Sequence, residues 1–169
     1  MRWIAPLWGL AGVFFLLGFA VYRLTPRAIE GLGMGLGPWQ WMALVLWTAF
    51  MGVAEGYGGF QKKFSPRTAA RARYLRDRPS PLRAILAPFF CMGYFHSRRR
   101  LRITSISLTA GIIAIIVVVS FCPQPWRGII DFGVVVGLTW GIVSLAGFAW
   151  KAFFDSDFEY SPETPESAG

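Results

Sequence analysis

Four long apolar runs dominate the chain, at about 3–22, 39–60, 103–121 and 129–150. Each run holds about twenty residues, and a helix of that length covers the roughly 30 Å of hydrocarbon in a bilayer. A helix also satisfies its own backbone hydrogen bonds, as a chain in lipid must. The pattern therefore predicts an all-α integral membrane protein, a four-helix bundle within one transmembrane domain of residues 1–154.

The first run also resembles a secretory signal peptide in two respects, since Arg2 precedes it and small residues lie near Ala20. Signal peptides have apolar cores of about 7–15 residues and an Ala-x-Ala type of cleavage site. This run is longer and lacks such a site, so we interpret it as a membrane span.

Polar residues after the first run predict that the chain leaves the membrane at about Arg23. Glycine occupies every second position from Gly31 to Gly37, which weakens a helix and suits a bent connector. The stretch contains neither a complete G-x-G-x-x-G motif nor the lysine of a P-loop, so we do not expect a phosphate-binding loop.

Residues 61–102 contain twelve of the seventeen basic residues and one acid, Asp77. Short loops rich in Lys and Arg stay in the cytoplasm. With four spans, both termini are then cytoplasmic and the connectors at 23–38 and 122–128 face outward, although Arg23 and Arg27 oppose this orientation mildly. Fourteen Arg against three Lys and the absence of Asn further indicate a bacterial, multi-pass inner-membrane protein.

Three segments lie outside the predicted spans. Ser65-Pro66 predicts the start of a helix that continues to about Asp77. Residues 82–95 are apolar but short for a span, so we expect a re-entrant or interfacial element kinked at Pro88, with a fifth span as the alternative. The acidic, Pro- and Ser-containing tail at 155–169 is predicted to be disordered.

The basic loop is the strongest electrostatic feature of the sequence. Each positive charge near an anionic leaflet contributes about 1 kcal/mol of attraction. Nucleic-acid binding is not expected, because Tyr74 is the only aromatic residue between Arg67 and Arg83 and the membrane already accounts for the charge. The predicted headgroup-binding residues are Arg67, Arg71, Arg73, Arg76, Arg98, Arg99 and Arg100.

Glycines recur every fourth residue in the fourth run, at Gly133, Gly137 and Gly141, and therefore line one side of a helix. Bare backbone lets another helix approach closely in lipid. Gly52 and Gly56 form a shorter stripe in the second run, and we predict that the two stripes face each other. The alternative is packing against a partner subunit, which would make a homo- or hetero-oligomer through the fourth span.

Few reactive side chains are present, and one His and two Cys are too few for the usual zinc, di-iron or bis-histidine haem sites. We therefore predict no metal and no cofactor. Glu55, well inside the second run, and His96, beside the arginines, are weak catalytic candidates. Cys91 and Cys122 are predicted to face opposite leaflets, too far apart for a disulfide.

A hydrophobic fraction of 54% with 15% charged residues and a net charge of +8 favours a membrane protein over a soluble domain. Three classes of function remain. The first is a non-enzymatic membrane subunit or scaffold, which the glycines and the shortage of reactive groups favour. The second is a small transporter or channel that uses Glu55. The third is a membrane enzyme acting on phosphate-bearing lipid with Glu55, His96 and the arginines at 98–100.

Overall fold

The computed structural model describes residues 3–78, 80–155 and 157–165. Every regular element in this part of the chain is a helix, which confirms the predicted all-α class. The helices, in chain order, are α1 (Ile4–Gly33), α2 (Pro38–Met51), a π-helix named π1 (Gly52–Phe64), α3 (Ser65–Asp77), α4 (Pro81–Ile85), α5 (Ala87–Cys91), α6 (Arg99–Ser120) and α7 (Trp126–Phe154).

Helix α1 is longer than the sequence predicts, because it does not end near Arg23 but continues to Gly33. Pro26 lies inside it and lacks a backbone N–H, yet the helix persists. Ala28 and Gly31 are buried in this last part of the helix, so packing offsets the lost hydrogen bond. The predicted glycine-rich connector shrinks to residues 34–37.

Helices α2, π1 and α3 form one continuous helical rod. The residues at both junctions, Gly52 and Ser65, have right-handed helical dihedral angles. Helix α3 begins at Ser65 with Pro66 in its first turn, as predicted, but Ser65 is not an N-cap, because Phe64 before it is already helical and no side chain caps α3. The predicted end of this helix at Asp77 is confirmed.

Helix α1 runs antiparallel to α7. The rings of Trp3 and Phe153 lie 5.5 Å apart at one end of the pair, while Gly31 and Gly128 meet at the other. Arg76 of α3 lies over both rings, so the basic segment and the first described residue share one end of the molecule. We call this the basic end, and we call the opposite end, with residues 34–37 and 121–125, the connector end.

Helix α6 stands apart from the other long helices. Its most apolar stretch of 18 residues has no buried residue, whereas 39% of the corresponding stretch of α7 is buried. Only Leu101 and Ser105, near the start of α6, are buried. The packed unit consists of α1, α7 and the α2–π1–α3 rod, and the predicted four-helix packing does not extend to α6.

Three helices in the described part of the chain are long and apolar enough to cross a membrane: α1, α6 and α7. They make the fold compatible with a membrane protein. Helix α2 alone has 14 residues and is too short to cross, so the second predicted span depends on π1 as well.

The predicted re-entrant or interfacial segment is two short helices, α4 and α5, of five residues each. They are separated at Leu86, two residues before the predicted kink at Pro88. Helix α5 packs on α1, where Cβ atoms built at Gly9 and Gly12 would meet Ala87 and Pro88. Ten helical residues are too few to cross hydrocarbon, which argues against a fifth span.

The hydrophobic core lies toward the basic end. It joins Val13 of α1, Leu75 of α3, Phe90 of α5 and Leu145 of α7, each 1% exposed or less. These contacts hold α3 and α5 in place, and with them the arginines of the basic segment.

Candidate lipid-headgroup site

Arg71 lies at the centre of the basic end, and its side chain is fully buried. The guanidinium donates four hydrogen bonds, all to backbone carbonyl oxygens: Nε to Phe90 at 2.6 Å, Nη1 to Pro162 at 2.8 Å, and Nη2 to Phe95 at 2.9 Å and His96 at 3.2 Å. These acceptors come from α5, from the turn that follows it and from the C-terminal tail. Arg71 thus ties three segments to α3.

No carboxylate pairs with Arg71 among the described residues. The guanidinium carbon instead lies 4.1 Å from the centre of the Phe90 ring, a cation–π contact. Burial away from water lowers the pKa of Arg71 from 12.5 to about 10, which leaves it charged at neutral pH. Because its donors are already used inside the protein, Arg71 is placed where a headgroup does not reach it.

The C-terminal tail crosses the basic segment. Arg67 Nη1 lies 3.8 Å from Glu163 Oε1, and the Arg98 backbone N–H donates to the Glu163 carbonyl at 3.0 Å. Arg73 Nη1 donates to the Phe158 carbonyl at 3.3 Å. Thr164 is 1% exposed. The tail, predicted to be disordered, therefore packs on the protein at residues 157–165, while 156 and 166–169 lie outside the described residues.

Arg76 also contacts groups of this chain. Its Nε donates to Asp77 Oδ1 at 2.9 Å, and its guanidinium lies about 5.5 Å from the rings of Trp3 and Phe153. With Arg67, Arg71 and Arg73, it completes the four predicted headgroup residues of α3. The structure uses all four to join α3 to its neighbours.

The arginines at the base of α6 are placed differently. Arg98, Arg99 and Arg100 are exposed, and Arg102 beside them is exposed as well. No carboxylate pairs with Arg99, Arg100 or Arg102 in the described part of the chain. Lys62, Lys63 and Arg78 are exposed as well, but among the predicted headgroup residues the exposed ones are those where α6 begins.

His96 lies at the edge of the core. Its ring is 6.2 Å from the Phe90 ring and 6.4 Å from the Tyr74 ring, and its backbone has a φ of +47°. The core cluster on which His96 packs contains Phe90 and Leu145 of α7. Glu55 contacts α7 at Gly137, eight residues earlier in the helix. Eight residues are about 12 Å of helix rise, so the structure does not bring His96 and Glu55 together.

Glu55 lies in π1 and faces the backbone of α7. A Cβ built at Gly137 would be 3.2 Å from Glu55 Oε2, so a larger residue there would crowd the carboxylate. In the described part of the chain, Glu55 makes no hydrogen bond and no ion pair. Lys62, Lys63 and the arginines at 98–100 are the basic residues expected on the same side of the membrane as Glu55, and none of them pairs with it.

The glycine stripe of α7 is filled by side chains of the same protein. Trp47 covers Gly133, and the Phe60 ring would lie 2.6 Å from a Cβ at Gly141. With Glu55 on Gly137, all three glycines are thus occupied from the α2–π1 side, which agrees with the interpretation of packing within the chain.

The shorter stripe does not meet the α7 glycines, contrary to our expectation. Gly56 faces Trp140, whose ring would lie 2.9 Å from a Cβ there, and Gly52 faces open space. Large side chains therefore lie opposite glycines on both helices.

A close backbone contact between α1 and α7 was not predicted from the sequence. A Cβ on Gly128 would lie 2.7 Å from the Gly31 Cα, and one on Gly31 equally close to the Gly128 Cα. Both residues are buried. We had assigned Gly31 to a connector, and a single glycine at position 128 carries no periodic signal that identifies a contact.

The two cysteines lie in opposite parts of the structure. Cys91 is buried in α5 against Gly9, and burial raises the pKa of its thiol to about 12, with the nearby Arg71 opposing the rise. Cys122 lies half-buried at the connector end. Both are free, as predicted.

No cluster of three or more His, Cys, Asp or Glu side chains that could hold a metal occurs among the described residues. Comparison of the chain with protein-family models, curated proteins and solved structures gives no match. What the protein does must therefore be argued from its own residues.

Proposed function

We propose that this chain is a four-pass protein of a bacterial inner membrane that serves as a non-enzymatic subunit or scaffold and binds anionic lipid headgroups through Arg98, Arg99 and Arg100. The observation that supports this most is the exposed arginine cluster at the start of an unpacked apolar helix. A helix bare on all sides suits lipid contact, and its basic base then lies at the headgroup layer.

The four crossings are α1, the α2–π1 part of the rod, α6 and α7. Trp3 and Phe153 meet at the basic end, and Gly31 and Gly128 meet toward the other, as an even number of crossings requires. Because twelve basic residues belong to the 61–102 segment, we place the basic end and both termini in the cytoplasm.

Among the predicted headgroup residues, we assign binding to the α6 arginines rather than to Arg71. Arg71 is buried and already bonded to four carbonyls, and Arg67 faces Glu163. Exposed guanidiniums form strong, often bidentate hydrogen bonds with phosphate. The α6 arginines are the ones whose charge faces outward.

The test is binding of phosphatidylglycerol and phosphatidylcholine with the same acyl chains to the detergent-purified protein, measured by native mass spectrometry. Arg99→Gln with Arg100→Gln removes two charges, each contributing about 1 kcal/mol, so phosphatidylglycerol should bind about 30-fold more weakly. Phosphatidylcholine binding should change little.

The matched control is Arg23→Gln with Arg27→Gln, which removes the same charge near the connector end. It should leave the preference for phosphatidylglycerol intact. If both double variants lost the same affinity for phosphatidylglycerol, net charge alone would explain the loss, and a headgroup site at the base of α6 would be contradicted.

Transport is the second candidate, and the unpaired carboxylate of Glu55 is the observation that favours it. Glu55 does not line the apolar groove on α7 whose wall includes Trp140 and Gly147. Proton or cation flux in proteoliposomes that is lost in Glu55→Gln would support this function over the scaffold.

A further inference from the structure

A groove of about 740 Å³ follows the outer face of α7. Its wall is mostly apolar and repeats with helical spacing, and Gln61 of π1 closes one side. The residues that line it include Val135, Trp140, Val143, Gly147 and Lys151.

The shape of the groove is fixed by two features. The Trp140 indole donates from Nε1 to Gln61 Oε1 at 2.8 Å, which holds the side wall in place. Gly147 leaves the floor open, since a Cβ built there has no atom within 4 Å.

The length of the groove matches one leaflet of a bilayer. From Val135 to Lys151, α7 rises about 24 Å, enough for the roughly 15 Å hydrocarbon half of one leaflet and part of its headgroup layer. An acyl chain along this apolar wall therefore reaches from the headgroup layer to the middle of the bilayer.

The groove has a positively charged side chain at one end. Lys151 is exposed at the end of the groove nearest the basic end, and among the described residues no carboxylate pairs with it. A phosphate would therefore find its counter-charge at the height where the apolar wall ends.

We propose that this groove binds one anionic phospholipid, with an acyl chain along Val135, Val143 and Gly147 and the phosphate at Lys151. This inference rests on the proposed membrane crossing, but not on headgroup binding by the α6 arginines. It concerns a different face of the molecule.

Native mass spectrometry of the detergent-purified protein with phosphatidylglycerol tests the proposal. Gly147→Phe fills the floor and should weaken the binding of one lipid at least tenfold, while the lipid bound by Arg99 and Arg100 remains. Gly111→Phe on α6 is the matched control, because Gly111 also faces open space, and it should keep that lipid. Lys151→Gln should keep the lipid but lose the preference for phosphatidylglycerol over phosphatidylcholine.

Two results would overturn the groove. One is a Gly147→Phe variant that binds as many lipids, with the same affinities, as the unaltered protein does. The other is a change from dimer to monomer in Gly147→Phe without any change in lipid, which would make the groove a contact between copies. Loss of binding in Arg99→Gln with Arg100→Gln, but not in Gly147→Phe, would support the proposed function while rejecting this site.

Discussion

Helices α6 and α7 are both apolar enough to cross a membrane, yet they differ in packing. Helix α7 has five glycines and 39% of its most apolar stretch buried, and α1, π1 and α3 all contact it. Helix α6 has one glycine, many β-branched residues and no burial in the corresponding stretch.

The difference shows that hydropathy and packing are separate properties of a membrane helix. Lipid tails are as apolar as Leu or Ile, so an apolar surface alone does not draw helices together. Small residues do, because they let a backbone or a large side chain approach. Substitutions in the packed region should therefore have large effects, and matched substitutions in the α6 region small ones.

The largest contrast is expected between two arginines. Arg71→Met removes four hydrogen bonds to buried or partly buried carbonyls together with a buried positive charge, and a lost buried hydrogen bond costs about 1–3 kcal/mol, so we expect a loss of about 3–5 kcal/mol. Arg100→Met at the exposed base of α6 should change stability by less than about 0.5 kcal/mol. Thermal unfolding in detergent measures both losses of stability. Equal melting temperatures of the two variants would contradict the role of Arg71 in tying three segments to α3.

Two glycines give the next contrast. A leucine at position 128 would press on the backbone of Gly31, which no rotamer change relieves, so Gly128→Leu should cost about 1–3 kcal/mol or more. Gly111→Leu meets open space and should be nearly neutral. Thermal unfolding in detergent measures the stability of both variants. A Gly128→Leu variant as stable as the unaltered protein would disprove the close contact of α1 with α7.

The chemical reactivity of the two cysteines tests the difference between the packed region and the α6 region without any mutation. Iodoacetamide reacts with the thiolate, so it should modify Cys122 at the end of α6 and spare Cys91 in the folded protein. Raising the pH from 7.5 to 9.5 should not expose Cys91 to reaction, because its pKa is about 12 and its thiol stays protonated. Mass spectrometry locates the modification, and both sites should react after unfolding. Prompt labelling of Cys91 at pH 7.5 would refute its burial.

The smallest effect is expected in the tail. Glu163→Gln weakens a partly exposed ion pair with Arg67, worth at most about 1 kcal/mol, so hydrogen exchange at the Arg98 amide should rise no more than about fivefold. Glu159→Gln changes an exposed acid of the same tail and should leave the exchange rate unaltered. A tail that exchanges freely in the unaltered protein would contradict its packing on α3.

The apolar runs predicted α6 and α7 to within a few residues, because the ends of these runs coincide with the ends of the helices. The end of α1 was missed by about ten residues. Hydropathy indicates where the chain leaves the hydrocarbon, whereas α1 continues as a helix until its packing on α7 ends near Gly31.

The site was harder to predict than the helices. Nothing local distinguishes Arg71 from Arg67, because the carbonyls that surround Arg71 lie 19 to 91 residues away in the chain. The exposed arginines at 98–100 were within reach of the sequence, since they directly precede an apolar run. The groove on α7 was not, because it depends on a side chain from π1.

The long separation between Arg71 and Pro162 has a consequence for biosynthesis. A ribosome makes 91 further residues after Arg71 before the Pro162 carbonyl exists. Until then the guanidinium lacks one of its acceptors and is better solvated by water than by the protein interior. The four hydrogen bonds of Arg71 are therefore complete only after α7 has been synthesised.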